Sequence, residues 1–212
     1  MRNRVLAAAT LILAAVATAA CDGGSATAPS DAQLTRAQAL ALNHAVFAVG
    51  AGFSDGGVPA GARGARLQSA NGSSTFSFTF DTRQQCPAGG DVAVAGTIGG
   101  AVDAQASTAQ VAANLAVAHT GCKVRTDDGA VFTLSGDPKI DVTLRAAASG
   151  ASGVTDFHLT EIGGFTWDNG RGGSGRCTVD LSADLVTGTQ NVRLTGNFCG
   201  FAVDGVIEHV GS

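Results

Sequence analysis

The sequence predicts a mainly β protein: an antiparallel meander of about nine to ten strands, forming a curved or barrel-like sheet, with one N-terminal α-helix packed on it. Two observations carry this prediction. An apolar period typical of a helix occurs before residue 53, whereas from residue 73 onwards apolar residues recur at every second position. Short turns separate the alternating segments without helical crossovers, so neighbouring strands are expected to pair antiparallel. A β-sandwich is the alternative fold.

The helix is predicted over residues 31–52. Ser30 followed by Gln33 matches a capping box, in which each side chain bonds a free backbone N–H at the start of a helix. The apolar residues behind this box recur at three- and four-residue steps and are Ala39, Leu42, Val46, Val49 and Phe53. Residues 53–72 are rich in glycine, alanine and arginine and lack an apolar period, which predicts a loop.

Residues 73–212 form the predicted β domain, in which apolar residues alternate with polar or small ones. Asp127-Asp128-Gly129 and Asp168-Asn169-Gly170 are typical of hairpin turns between such segments. The predicted strands cover residues 76–80, 92–98, 111–117, 122–125, 131–135, 140–144, 154–162, 165–167, 177–185, 192–198 and 201–210. This spacing predicts a series of consecutive hairpins.

Residues 1–20 are predicted to be a signal peptide. Arg2 and Arg4 form a basic start, and the uncharged apolar run from Val5 to Ala20 follows them. This run is shorter than the ~20 apolar residues of a membrane-spanning helix and ends in small residues. We therefore expect the segment to direct export and to take no part in the fold.

The end of this segment predicts how the mature protein begins. Thr18-Ala19-Ala20-Cys21 resembles the lipobox of bacterial lipoproteins, although Thr18 stands where leucine is usual. The resemblance implies that Cys21 is lipidated and anchors the protein to a membrane, on the extracytoplasmic side of a bacterial cell envelope. Residues 21–30 are small and polar, as is typical of a flexible tether. The alternative is ordinary cleavage after Ala19, with Cys21 incidental.

The chain has five cysteines, so one is left over if the others form disulfides, as exported domains usually do. Cys21 is the natural odd one, because lipidation would consume its thiol. The remaining four allow three pairings, of which the sequential one links neighbouring strands of a meander. We therefore expect the disulfides Cys86–Cys122 and Cys177–Cys199. The chain has no Cys-x-x-Cys pair, so no metal site is expected at these cysteines.

Charge and motifs argue against several function classes. Removal of the signal peptide leaves 11 basic and 17 acidic residues and no basic stripe, so no nucleic-acid partner is expected. Gly170–Gly175 matches G-x-G-x-x-G, but a strand rather than a helix is predicted after it. Gly52–Gly56 matches G-x-S-x-G, but it follows a helix rather than a strand. We expect no catalytic residue, cofactor or metal; His119 or His158 hydrogen-bonded to an aspartate in a cleft would instead indicate an enzyme.

The expected function is a non-catalytic structural or interaction role, with an envelope protein as partner. The alternative is the binding or carriage of a small apolar ligand or lipid in a β-barrel-like cavity. Candidate ligand contacts are Trp167, Phe76, Phe78 and Leu115. A lone Trp beside a turn more often closes the end of a core than binds a ligand. A dry apolar cavity of several hundred Å³ lined by these residues would favour the ligand hypothesis, and a filled core would contradict it.

Overall fold

The computed structural model describes residues 34–51, 63–70, 72–126 and 128–207, which form one helix and ten strands. The helix is α1 (Arg36–Ala51). The strands are β1 (Arg63–Ala70), β2 (Ser73–Gln85), β3 (Asp91–Asp103), β4 (Thr108–Thr120), β5 (Cys122–Arg125), β6 (Val131–Ser149), β7 (Gly153–Asp168), β8 (Ser174–Leu185), β9 (Val192–Phe198) and β10 (Phe201–Ile207).

All ten strands belong to one antiparallel sheet in the order β1-β2-β3-β4-β6-β7-β8-β9-β10, and β5 pairs with β6 beyond the end of β4. The predicted mainly β meander is therefore confirmed. Its edge strands β1 and β10 do not pair with each other in the described residues, so the sheet is open rather than a closed barrel. The strands of the described ranges make one sheet, not the two sheets of a sandwich.

Two strands are longer than the sequence predicts. Residues 131–135 and 140–144 both lie in β6, because pairing with β7 resumes after an irregular stretch between Gly136 and Ile140. Residues 154–162 and 165–167 likewise join in β7. The residues between Gly136 and Ile140 therefore interrupt the pairing of β6 with β7 locally, and the strand continues beyond them instead of ending in a turn.

The prediction of a loop over residues 53–72 is wrong for Arg63–Ala70, which forms β1 and pairs with β2. Residues 52–62 and 71 lie outside the described residues. The strand was missed because it has no alternation of apolar residues. An edge strand is held mainly by backbone hydrogen bonds to its neighbour, and these do not depend on the side-chain pattern.

The predicted start of the helix also differs from the structure. Ser30 and Gln33 lie outside the described residues, whereas Leu34 and Thr35 are not helical and the helix begins at Arg36. Here Thr35 and Gln38 form the capping box: the Thr35 backbone N–H donates to Gln38 Oε1 at 2.9 Å and the Gln38 N–H donates to Thr35 Oγ1 at 3.2 Å.

This position of the cap brings apolar side chains to the core. Leu34, just before the cap, and Ala39, one turn into the helix, are 5% and 2% exposed. Apolar residues at these two positions form the hydrophobic staple that often accompanies a capping box. The box of Thr35 and Gln38 is therefore flanked on both sides by apolar residues that are buried in the core.

The core lies on one face of the sheet, which we call the concave face. Along β7, Leu159, Phe165 and Trp167 are at most 8% exposed, whereas Ile162 between them is 58% exposed on the opposite, convex face. Period-two alternation thus separates a buried from a solvent-exposed side, as the sequence predicts.

One end of the concave face is covered by α1, and we call it the closed end. Leu42 of α1 is fully buried, and α1 packs against β5. The guanidinium of Arg36 donates a hydrogen bond to the carbonyl of Ala202 in β10, at 3.5 Å. A helix that reaches both the middle and the last strand of the sheet requires the sheet to curve strongly around it. The other buried residues of the closed end are Cys86, Val92, Cys122, Val124, Phe132, Leu134, Phe165, Trp167, Cys177, Val179, Phe198 and Cys199.

Two glycines mark the close backbone approaches that accompany this curvature. Gly163 in β7 and Gly196 in β9 have φ values of 149° and 132°. A Cβ at Gly163 would lie 2.1 Å from the Lys139 carbonyl oxygen, and a Cβ at Gly196 would lie 2.0 Å from that of Asp180. Only glycine permits these approaches inside strands, where it commonly marks a bend.

The concave face of β2 and β3 away from the closed end is less covered, and we call it the open region. Phe76, Phe78 and Ile98 are partly exposed there, and Val102 is 36% exposed. The same sheet therefore has a sealed end and an end where apolar side chains meet solvent.

Candidate functional site

The middle of the concave face contains a buried carboxyl group. Glu161 of β7 lies opposite Val142 of β6 and Leu181 of β8 in the ladder, and it is 5% exposed. Among the described residues, none donates a hydrogen bond to its carboxyl or pairs with it as a cation. Burial raises the pKa of Glu161 from 4.5 to about 8, so the group is protonated and uncharged at neutral pH.

A narrow, shallow crevice adjoins this carboxyl. Its interior is too narrow to admit a water molecule. The lining residues are Leu159, Glu161, Leu181, Ser182, Ala183 and Leu194. A buried titratable group with a strongly raised pKa is a candidate functional group.

The inward position of Glu161 can be read from the alternation of apolar residues in β7. Phe157, Leu159, Phe165 and Trp167 alternate through β7, and Glu161 occupies a position in the same period. A carboxyl at an inward position of an otherwise apolar strand face predicts burial without charge.

The four candidate ligand contacts do not come together. Phe76 and Phe78 stack in β2 with ring centroids 6.3 Å apart, and Leu115 in β4 shares their concave face. Trp167 lies at the closed end, 2% exposed, with its ring edge-on to Phe132 at 6.0 Å. None of the four lines the crevice beside Glu161, so the described residues do not form the apolar cavity lined by all four that would favour the ligand hypothesis.

The closed end holds three buried polar atoms without a hydrogen-bond partner: Asn43 Oδ1, His119 Nδ1 and Trp167 Nε1. His119 packs against Phe165 with ring centroids 6.2 Å apart. Burial lowers the pKa of His119 from 6.5 to about 4, so its imidazole is neutral at neutral pH. Each unpaired atom costs free energy, which the apolar packing around it must offset.

The convex face contains the histidine–aspartate contact that could indicate an enzyme. His158 Nδ1 and Asp184 Oδ1 are 2.5 Å apart across β7 and β8, and Ser182 Oγ donates to Asp184 Oδ2 at 3.0 Å. The hydrogen bond with His158 holds the pKa of Asp184 below its usual range. Both partners are exposed, with side-chain exposures of 43% and 56%, and the hydroxyl bonds the carboxylate rather than the imidazole. A serine nucleophile is activated when its hydroxyl bonds the imidazole base. The hydroxyl of Ser182 bonds the carboxylate instead, so this geometry does not activate it.

Uncharged polar side chains form a row across the convex face. They pair in register from β2 to β9, and each is exposed or partly exposed. The members are Thr79, Thr97, Asn114, Thr143, Thr160, Ser182 and Thr195. Beside the row, the Arg193 guanidinium donates to both carboxylate oxygens of Asp204, at 3.1 and 3.0 Å. This face can form many hydrogen bonds with a partner.

The expected disulfide pairing is confirmed. Cys86–Cys122 and Cys177–Cys199 are bonded, with Cα atoms 5.5 and 4.2 Å apart. Within the described ranges, no group of three His, Cys, Asp or Glu residues could hold a metal ion, and no helix is both long and apolar enough to cross a bilayer. No protein-family model, curated protein or solved structure matches this chain.

Proposed function

We propose that this protein is a bacterial lipoprotein, anchored through Cys21 on the extracytoplasmic side of the envelope, with a non-catalytic interaction role. The observation that carries the proposal is the pairing of cysteines. Two disulfides use four of the five cysteines and leave Cys21 as the odd one, directly after a signal-like segment. Two or more acyl chains on that residue would make the anchor stable.

The interaction role is supported by the convex face. Its row of hydroxyl and amide side chains continues across neighbouring strands in register. Such groups lose little free energy on desolvation when they find hydrogen-bond partners, whereas charged groups lose more. A protein of the envelope is the partner that we propose for this face.

Intact-mass measurement of the protein extracted from membranes tests the anchor. We expect a mature chain that begins at Cys21, carries acyl chains and retains both disulfides. The Cys21→Ser variant is the control, and it should lose the acyl mass and leave the membrane fraction. An unmodified mature N-terminus at Ala20 would overturn the proposal.

A second candidate function is the binding of a small apolar ligand or lipid. It is favoured by the open region, where Phe76, Phe78, Ile98 and Val102 are exposed to different degrees on a concave face. Clustered apolar side chains at the surface mark binding sites more often than isolated ones do.

Dodecanol binding tests this second function. The Phe78→Ser variant should weaken binding by about 1–2 kcal/mol, because apolar contact area is lost. Ile162→Ser, at an exposed apolar position of the convex face, is the matched control and should leave binding unchanged. Equal dodecanol affinity of Phe78→Ser and Ile162→Ser would show that dodecanol does not bind in the open region.

A further inference from the structure

We propose that β10 pairs along its free edge with β10 of a second copy of this chain. The two sheets then join into one continuous antiparallel sheet across a two-fold axis. The inference depends neither on the lipid anchor nor on a bound apolar ligand. Its basis is an edge strand that has the side chains of an interior strand and outward backbone groups that the described residues leave unpaired.

The direction of the backbone groups of β10 follows from the turn before it. Cys199 and Gly200 have φ values of 51° and 84°, as in a two-residue type I′ turn. Phe198 and Phe201 are therefore the hydrogen-bonded pair next to the turn, and every second residue of β10 after them also bonds β9. The residues between direct their N–H and C=O groups away from β9. These outward-directed residues are Ala202, Asp204 and Val206.

Only the first of these outward positions has a partner. The Arg36 guanidinium donates to the Ala202 carbonyl at 3.5 Å, as expected for a carbonyl that faces away from β9. No backbone group of the described residues bonds Asp204 or Val206 from the outer side. The part of β10 beyond Ala202 therefore presents unpaired N–H and C=O groups, which are the template that another strand needs.

The side chains of β10 are typical of an interior strand. On the convex face, neighbouring β9 carries the polar residues Arg193, Thr195 and Asn197. The residues opposite them on β10 are Val206, Asp204 and Ala202. Val206 is 51% exposed, and the concave-face residues Phe201 and Val203 are only partly buried. β10 is thus largely apolar on both faces, which is the pattern of strands that are covered on both sides.

Charge favours a second copy of the same edge as the partner. Asp204 is the single charged residue of β10, and its two carboxylate oxygens accept hydrogen bonds from Arg193 at 3.1 and 3.0 Å. Two copies of β10 can therefore approach without an unpaired like charge between them. The paired strand covers the edge-facing side of Val206 in both copies.

The opposite edge of the sheet is less suited to pairing. β1 contains Arg63 and Arg66, and its register with β2 shifts between these two residues. Positive charges and bulges are the devices by which edge strands avoid pairing. β10 has neither, and its register with β9 is regular over all 7 residues. Pairing of β10 with β10 closes the assembly at two copies, whereas pairing of β10 with β1 would continue without end.

The dimer is expected to be weak because the free part of the edge is short. Pairing over so few residues belongs to the class of small interfaces, which bury less than about 1,200 Å² in total. Such contacts are transient, and we expect a dissociation constant of about 10–100 μM.

Sedimentation velocity over a series of protein concentrations measures the association. The protein is the full chain carrying Cys21→Ser, so that no acyl chain causes association. Val206→Lys places a charge at the free edge. Ile162→Lys is the matched control, because Ile162 is 58% exposed on the convex face but lies in the interior strand β7. Circular dichroism establishes that both variants fold as the parent chain does.

We expect the parent chain to change from monomer to dimer as its concentration rises. Val206→Lys should weaken dimerisation at least about tenfold, because two lysines would approach each other in the joined sheet. Ile162→Lys should leave it unchanged. A parent chain that stays monomeric, equal dimerisation of Val206→Lys, an equal loss in Ile162→Lys, or growth beyond two copies would each overturn the inference.

Amide hydrogen exchange followed by NMR identifies the groups in contact. The amides of Val203 and Gly205 bond β9 and should be protected at every protein concentration. The amides of Asp204 and Val206 should become protected only as the dimer forms. Fast exchange of these two amides in the dimer, or protection that does not depend on concentration, would show that association does not use the edge of β10.

Discussion

The closed end and the open region belong to one sheet and are built from the same alternating strands, yet they are buried to different extents. Phe132 and Phe165 at the closed end are at most 1% exposed, whereas Phe76 and Phe78 in the open region are partly exposed. Strand pattern alone does not produce this difference. It depends on what lies over the concave face.

The closed end gains three kinds of cover that the open region lacks among the described residues. Ala39 and Leu42 of the helix lie over it together with Leu34, just before the helix cap, and both disulfides lie there. Its aromatic rings also contact one another, as in the pair Phe165–Phe198 with centroids 6.1 Å apart. The concave face therefore divides into a part that is sealed and stabilises the fold and a part whose apolar side chains remain accessible to solvent.

The largest expected effect distinguishes two phenylalanines. Phe165→Ala at the closed end should lower the free energy of unfolding by about 3–5 kcal/mol, because it removes a ring that is fully buried and leaves a cavity. Phe76→Ala in the open region should cost about 1 kcal/mol, since its ring is partly solvated in the folded protein. Urea unfolding followed by circular dichroism measures both. Similar losses for the two variants would show that the regions are equally packed.

Removal of a disulfide should have the next largest effect. The double variant Cys177→Ala/Cys199→Ala should lower the free energy of unfolding by about 3 kcal/mol, because the unfolded chain is no longer closed into a loop of 22 residues. The fluorescence of Trp167, the chain's single Trp, reports unfolding at this end. Cys21→Ser is the control and should leave the midpoint of the unfolding transition unchanged. A double variant as stable as the parent chain would contradict a stabilising role for this bond.

The smallest effect concerns Glu161, which lies between the two regions. Its pKa is raised on folding from 4.5 to about 8, so the folded protein holds a proton that the unfolded chain loses, and stability falls as pH rises through this range. Between pH 6.5 and pH 8 the free energy of unfolding should fall by about 1 kcal/mol, because the loss from Glu161 is partly offset by deprotonation of His119 in the unfolded chain. In Glu161→Gln this fall should be absent, as measured by urea unfolding at several pH values.

His119 determines the acid side of the same curve. Its pKa is lowered on folding from 6.5 to about 4, so the unfolded chain takes up a proton first and the contribution of His119 to stability falls as pH drops through this interval. Between pH 4.5 and 6.5 the slopes from His119 and Glu161 oppose each other, which predicts a nearly flat region. A Glu161→Gln profile that still declines between pH 6.5 and 8 would refute the assignment to this carboxyl.

The features that could be predicted from sequence are those that depend on local pattern. Alternation predicts the strands from β2 to β10, and hairpin spacing predicts their antiparallel order. The cysteine positions in a meander predict the pairs Cys86–Cys122 and Cys177–Cys199, both of which are confirmed. In each case the residues that determine the feature are neighbours in sequence or lie on neighbouring strands.

Most of the features that escaped prediction depend on partners distant in sequence. β1 is the exception, because its partner β2 begins only three residues after Ala70; it escaped because its own residues show no alternation of apolar side chains. The helix begins at Arg36 rather than near residue 31, and this start places Leu34 in a core made by strands far along the chain. The role of Glu161 depends on its burial, which follows from the curvature of the whole sheet.

The sequence by itself determined a mainly β meander, an N-terminal helix and two disulfides, because period, turn residues and cysteine order act over short distances along the chain. The tertiary structure decided that the sheet stays open, that Trp167 closes the core, and that Glu161 is buried with no counter-ion among the described residues. The physical reason is that the burial of a side chain depends on the folded sheet and helix together and not on the sequence around it alone. Which side chains lose contact with water depends on how far the sheet curves and on where the helix covers it.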